Sequence, residues 1–217
     1  DELTATEAKL SVTELTHGSD EFHGRSPCGS DKRKITFSEM THLPDASPTS
    51  AGTAAHLIFA KLDLRKPVTA ETVTETVEAL HSQRQITEQD AAKIHIAGIE
   101  AFFRTEPGSL ALDPNNSVHR EWPFTYSLPA SKVKQLHGDT DDKVIVQGIV
   151  DLIIETETGL TIIDYKTDSV DENTMQERAV VYQKQLDLYA HAAKAVLRKK
   201  VTSKFLYFTK PARFVKS

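Results

Sequence analysis

The spacing of apolar positions changes period twice along this chain, and those changes mark its elements. In 50–64 (S-A-G-T-A-A-H-L-I-F-A-K-L-D-L), Ala51, Ala55, Ile58 and Leu62 recur at helical steps. Residues 67–83 give a second helix with Val73, Val77 and Leu80 on one side. Thr87 opens a third that carries Ile94, Ala97, Ala101 and Phe102 inward, with Thr87 as N-cap and Ile86 as staple. From 118 the period shortens to two. Residues 118–128 (V-H-R-E-W-P-F-T-Y-S-L) read as a first strand. Apolar, β-branched runs at 143–155 and 160–166 flank a polar turn ending in Gly159, which predicts a β-hairpin. The helical period returns at Thr174-Met-Gln-Glu177, a capping box, and continues to about Lys199 through Tyr182, Leu186, Tyr189, Ala193 and Val196. Residues 201–209 have strand character. Residues 1–45 are polar and irregular: a leader and loop region with a short helix near 5–16 and a mobile loop at 18–34. Residues 46–217 then read as a single domain. Helices, strand, hairpin, long helix and strand in that order predict an α/β fold, a mixed β-sheet flanked by helices and preceded by a helical region.

The hairpin carries the chemistry. A turn centred between Glu157 and Thr158 places Asp151 opposite Asp164, and alternation puts Lys166 on the face of Asp164. Carboxylates within apolar strands are costly to bury unless they pair or bind a cation. A hard divalent ion such as Mg²⁺ suits those oxygens, and a neighbouring lysine suits a phosphate or an attacking water. His56 lies off the apolar stripe of its helix, in a row with Gly52, Ala60 and Asp63. A lone helical histidine reads as exposed or packed, with a ligand role as the alternative. Glu121 reads as a solvent-facing edge residue, with a ligand or outer-shell role as its alternative. Gln185 and Tyr189 are four apart and share a helix face.

Composition narrows the function. In 217 residues, 39% are hydrophobic and 26% charged, as in an ordinary globular protein. A single cysteine, Cys28, excludes a disulfide framework, a four-cysteine zinc site or an iron–sulfur cluster built within this chain. Neither a membrane-spanning run nor a signal peptide is visible, so the expected compartment is the cytoplasm, without membrane association. A first residue of Asp rather than Met fits a piece of a longer protein. The net charge of −5 is unevenly spread: the last 30 residues carry +8, including Lys199 and Lys200. That basic end reads either as a nucleic-acid footprint or as a solvated helix face.

Taken together, G-I-V-Asp151, I-I-Asp164-Y-Lys166 and Gln185-L-D-L-Tyr189 resemble motifs of the RecB-type branch of the PD-(D/E)xK nucleases. Upstream, G-T-A-A-His56 resembles that branch's G-T-x-x-H motif, and R-Glu121-W-P-F its R-E-x-P-F strand. K-L-S-V-T-E-L at 9–15 resembles the opening of the nuclease domain in AddA (RexA) helicase–nucleases. The resemblance implies a restriction-endonuclease-like fold over 46–217. It implies metal ligation by His56, Asp151, Asp164 and the Tyr165 carbonyl, with Lys166 as the catalytic lysine. By the same resemblance Gln185 and Tyr189 would line the site and contact DNA or orient the lysine; Lys199 and Lys200 are DNA-contact candidates from the basic end alone, with a solvated helix face as the alternative. The implied activity is an Mg²⁺-dependent (or Mn²⁺-dependent) DNA exonuclease acting in double-strand-break resection, paired with an AddB (RexB) type partner; the alternatives are a nuclease-dead DNA-binding or scaffold module of the same fold and a metal-dependent hydrolase of small phosphoesters. With one cysteine the chain matches the nuclease type without an iron–sulfur cluster. No G-x-x-x-x-G-K-[ST] loop occurs, so ATP binding is expected only of a full-length parent.

Overall fold

The computed structural model describes residues 9–11, 51–129, 143–167 and 170–216. Helices α1 (Ala51–Lys61), α2 (Ala70–Ser82), α3 (Glu88–Ala92), α4 (Ile96–Phe103) and α5 (Glu106–Leu112) come before strands β2 (Ser117–Pro129), β3 (Lys143–Thr156) and β4 (Gly159–Lys166). Helix α6 (Glu172–Leu197) and strands β5 (Val201–Phe208) and β6 (Arg213–Lys216) follow; β1 is Lys9–Ser11. Local chemistry sets most of the ends. Thr69 and Thr72 form a reciprocal capping box at the start of α2. The Thr87 and Thr105 hydroxyls accept the Asp90 and Gly108 N–H groups at the starts of α3 and α5.

Four expectations change. The helix expected near 5–16 gives way at Lys9–Ser11 to a strand, because these backbone groups pair in parallel with Ile145–Gln147. The rest of that segment and the 18–34 loop lie outside the described residues. The third helix breaks at 93–95 into α3 and α4. There the Thr209 carbonyl approaches Gly98 so closely that a Cβ would sit 1.8 Å from it, and it accepts the His95 Nδ1–H at 2.9 Å. That tie holds His95 at the N-cap, outside the helix. At the start of α6 the cap is Asp171 rather than Thr174. Its carboxylate accepts the Thr174 N–H (2.8 Å), and the Thr174 hydroxyl accepts the Asp171 N–H (3.1 Å). Helix α5 and strand β6 were not expected; Thr105 followed by Pro107 is the signal for α5.

The chain divides into two compact units, 1–45 with 125–148 and 46–124 with 149–217. In the first, β1 runs parallel to the start of β3. The second holds every residue of the candidate site. Its β3–β4 hairpin is antiparallel, with Leu152 opposite Ile163 and Thr156 opposite Gly159, the predicted register. β4 runs parallel to β5, and β6 closes antiparallel on β5. β2 also pairs with β3. Leu152, Ile154, Ile163, Tyr165 and Tyr207 belong to one core cluster with Ile58, Phe59, Leu62, Phe102 and Phe103 of the helices. The Tyr165 ring stacks on Phe59 at 3.8 Å. Alternation sends Asp151, Asp164 and Lys166 to the opposite face, toward α6.

Gly98 joins these layers, because Tyr207 Oη–H donates to its carbonyl (2.6 Å) while Thr209 packs on its Cα. Thr209 also donates its N–H to the Lys166 carbonyl at 2.8 Å. Gly98→Ala, which favours a helix by about 1 kcal/mol in isolation, should here destabilise the protein by about 1–3 kcal/mol through overpacking. Thermal denaturation checks the sign; a raised Tm would contradict this packing.

Candidate active site

The paired residues of the hairpin stop at Leu152 and Ile163, and the site begins where they stop. Two residues beyond Ile163, the Tyr165 N–H and C=O meet side chains rather than β3. Both groups need partners. Asp151 Oδ2 accepts the Tyr165 N–H at 2.7 Å, and His56 Nε2 donates to the Tyr165 carbonyl at 3.0 Å. With Nε2–H committed, Nδ1 is the nitrogen that carries the lone pair when the imidazole is neutral, and it lies 3.6 Å from Asp151 Oδ1. Glu121 completes the group: one donor atom each from His56, Glu121 and Asp151 lie within 4.8 Å of one another. Glu121 has φ of 47°, left-handed backbone that a non-glycine residue rarely adopts. Its neighbour Arg120 donates to the Phe59 and Leu62 carbonyls at the end of α1, 3.2 and 2.6 Å away. That cap fixes β2 against the helix that carries His56.

Lys166 is held on the face beside this group. Its Nζ lies 2.6 Å from Asp164 Oδ2, donates to Gln185 Oε1 at 3.0 Å and sits 3.8 Å from the Tyr182 ring centre. Gln185 Nε2 donates in turn to Tyr189 Oη at 2.8 Å, which fixes the orientation of its amide. Asp164, 2% exposed, touches the ammonium without an aligned hydrogen bond, and its Oδ2 has no hydrogen-bond partner.

Like charges at about 5 Å repel by about 3–4 kcal/mol at an effective dielectric constant near 20, more than an ordinary hydrogen bond returns. Without a cation the cluster relieves this by holding protons. Burial, then Asp151, pushes the Glu121 carboxyl up to about 7. Burial and Asp151 push Asp164 up to about 6 against the pull of Lys166. Burial opposes charge on His56, but Asp151, Asp164 and Glu121 outweigh it and raise its pKa. Hard oxygen donors, one imidazole nitrogen and the buried Asp164 carboxylate, ion-paired with Lys166, form a donor set that fits a divalent cation.

The structure therefore brings His56, Asp151, Asp164, Tyr165, Lys166, Gln185 and Tyr189 together. Glu121, expected at a solvent-facing edge, is instead half-buried inside the group, because its positive φ turns the strand there. Lys199 and Lys200 stand apart. Lys199 pairs with Glu155 at 2.6 Å, and Lys200 flanks Leu160 at the turn end of β4. Tyr182, in sequence one more apolar helical step, joins the site as well; its signal is its place three residues before Gln185, on the same face.

A pH dependence follows from the raised carboxyls. Folding tightens proton binding at Glu121, Asp164 and His56, so the stability they contribute is full below about pH 4 and is lost as pH rises through 6 to 7. The metal-free protein should lose Tm between pH 5 and pH 8, and Glu121→Gln should flatten that fall. Mg²⁺ or Mn²⁺ should restore Tm at pH 8 more than at pH 5. Equal slopes for wild type and Glu121→Gln would contradict the cluster.

Comparison with known proteins agrees with this geometry. A profile of the PD-(D/E)XK nuclease superfamily matches residues 33–216. The chain is 39% identical over 163 residues to an ATP-dependent helicase/nuclease of Lactiplantibacillus plantarum (its A subunit), covering 74% of this chain and 13% of that protein. It is 38% identical over 209 residues to the protein of the same name from Thermoanaerobacter sp. (92% and 16%) and 33% over 222 residues to that from Listeria innocua (96% and 18%). The chain thus spans less than a fifth of the length of these relatives. With the superfamily profile matching most of its length and the acidic hairpin, histidine helix and lysine in register, the chain belongs to the PD-(D/E)XK nuclease superfamily.

Proposed function

We propose that this chain is the nuclease domain of an AddA-type helicase–nuclease, a metal-dependent DNase that hydrolyses phosphodiester bonds as an exonuclease during double-strand-break resection. The observation that carries the reading is the convergence of Asp151, Asp164 and His56 beside a held lysine. Asp151, Glu121, Asp164 and His56 Nδ1 would hold the cation, Mg²⁺ by the hardness of its oxygen donors. Bound there, it would supply Lewis-acid stabilisation of phosphoryl charge and a more acidic water. The Tyr165 carbonyl orients His56 and, having two lone pairs, would serve as a further ligand. Lys166 is aimed from three directions, by Asp164, Gln185 and Tyr182, so its ammonium meets the reacting phosphate or the attacking water without reorganising. DNA as substrate and an AddB-type partner belong to the same proposal, supported by the helicase/nuclease name of the relatives.

The test is cleavage of labelled single-stranded DNA by the purified chain with Mg²⁺ or Mn²⁺, with and without EDTA and ATP. Cutting that needs the metal and not ATP is expected; a strict ATP requirement would contradict the proposal. Asp164→Ala should abolish cutting by weakening the metal site. Lys166→Ala should slow it by roughly 10²-fold or more while metal affinity, read by calorimetry, stays the same or tightens as a positive charge leaves. If Lys166→Ala lost the metal as badly as Asp164→Ala, the division of roles would be wrong.

A further inference from the structure

Strand β2 brings one more side chain to the site than the metal and lysine groups use. Trp122, the single tryptophan of the chain, directly follows Glu121. Two residues on, the buried Phe124 meets the Tyr189 ring edge-to-face at 5.9 Å. Tyr189 in turn takes the amide of Gln185, which holds Lys166. Residues two apart on a strand share a face, so Trp122 stands on the α6 side of the sheet with Phe124. Its ring stacks on Phe124, with centroids 6.1 Å and planes 25° apart. Plain alternation would send Glu121 to the other face. The left-handed backbone at Glu121 breaks that alternation, and both neighbours reach the site side. Trp122 is only half-buried, although it is large and apolar. Among the described residues its ring touches no other ring than Phe124, and its Nε1–H makes no hydrogen bond. An indole packed on one side and open on the other suits a planar partner with polar edges.

We infer that Trp122 is a stacking platform for an unpaired nucleobase of the substrate strand, the base next to the phosphate that reacts at Lys166. The inference rests on the nuclease reading and deepens it. A chain with a net charge of −5 repels phosphates, and the Lys166 charge is already answered by Asp164. A contact that does not depend on charge therefore has more to contribute here than on a basic surface. Every base has a π-face, so stacking holds a strand without selecting its sequence. Only a base outside the duplex stack offers that face, which makes the platform selective for single-stranded DNA. The support beneath the indole also serves the reaction. Tyr189 backs Phe124 on one side and fixes Gln185, and through it Lys166, on the other. A base held on Trp122 is thus referred to the same support as the ammonium, which aligns the neighbouring phosphate on the lysine.

The experiment uses the whole chain with Ca²⁺ in place of Mg²⁺ and follows binding of labelled single-stranded oligonucleotides by anisotropy. Binding should also quench the indole emission, which in this chain reports Trp122 alone. In a series of oligonucleotides made abasic at one nucleotide at a time, the wild type should bind about tenfold more weakly at one position near the cut end. Trp122→Leu should bind intact DNA about tenfold more weakly. Its log–log salt slope should match the wild type, because the lost contact is uncharged. It should also lose the abasic penalty, whereas Trp122→Phe should keep part of it. A tryptophan that only packed β2 would lower Tm and weaken every oligonucleotide alike, with the penalty left in place. The wild-type scan needs no variant: if no position is sensitive, the platform is wrong. If the wild type cuts DNA while its indole emission ignores binding, or while Trp122→Leu keeps the affinity or the penalty, the platform is wrong and the nuclease reading stands. If the wild type neither binds nor cuts, both fall.

Discussion

The site depends on how one peptide group is satisfied where strand pairing ends. Beyond Leu152 and Ile163 the hairpin no longer supplies partners for the Tyr165 N–H and C=O. A buried backbone group without a partner costs about 1–3 kcal/mol. Here Asp151 takes the N–H and His56 takes the C=O. The two side chains that complete the backbone are the same two that face each other at 3.6 Å with atoms to spare for a cation. Fold and site therefore share their bonds. Aromatic stacking of Tyr165 on Phe59 and the Arg120 cap on α1 keep the helix, the strand and the hairpin at the spacing those bonds need.

The same economy explains the division of charge across the sheet face. Glu121, Asp151 and His56 gather on one side of the Asp164 side chain, and Lys166, Gln185, Tyr182 and Tyr189 on the other. Asp164 stands between them, pulled by Lys166 and repelled by Asp151. Burial and Asp151 favour proton binding at Glu121 and Asp164; a divalent cation would favour their ionised forms instead.

Much of this was legible in the sequence because it is periodic or local. The hairpin register followed from the position of the turn, and with it the opposition of Asp151 and Asp164. The shared face of Lys166 and Asp164 followed from alternation, and that of Gln185 and Tyr189 from helical spacing. What escaped is set by contacts distant in the chain. Glu121 turns inward through a left-handed backbone angle that Pro123 and Trp122 did not announce. The third helix breaks because Thr209, more than a hundred residues away, presses on Gly98. The basic C-terminal stretch looked like one surface, yet Lys199 pairs with Glu155 and Lys204 with Asp187, so part of its charge is spent within the fold.

The central claim is that the residues closing the end of the hairpin are also the residues that hold the cation. Anomalous diffraction from crystals soaked in Mn²⁺ tests it most directly. A peak bonded to Asp151 and to His56 Nδ1, with Asp151 still accepting the Tyr165 N–H, is the predicted result. A peak outside this group, or one that forms only after Asp151 lets go of Tyr165, would contradict it.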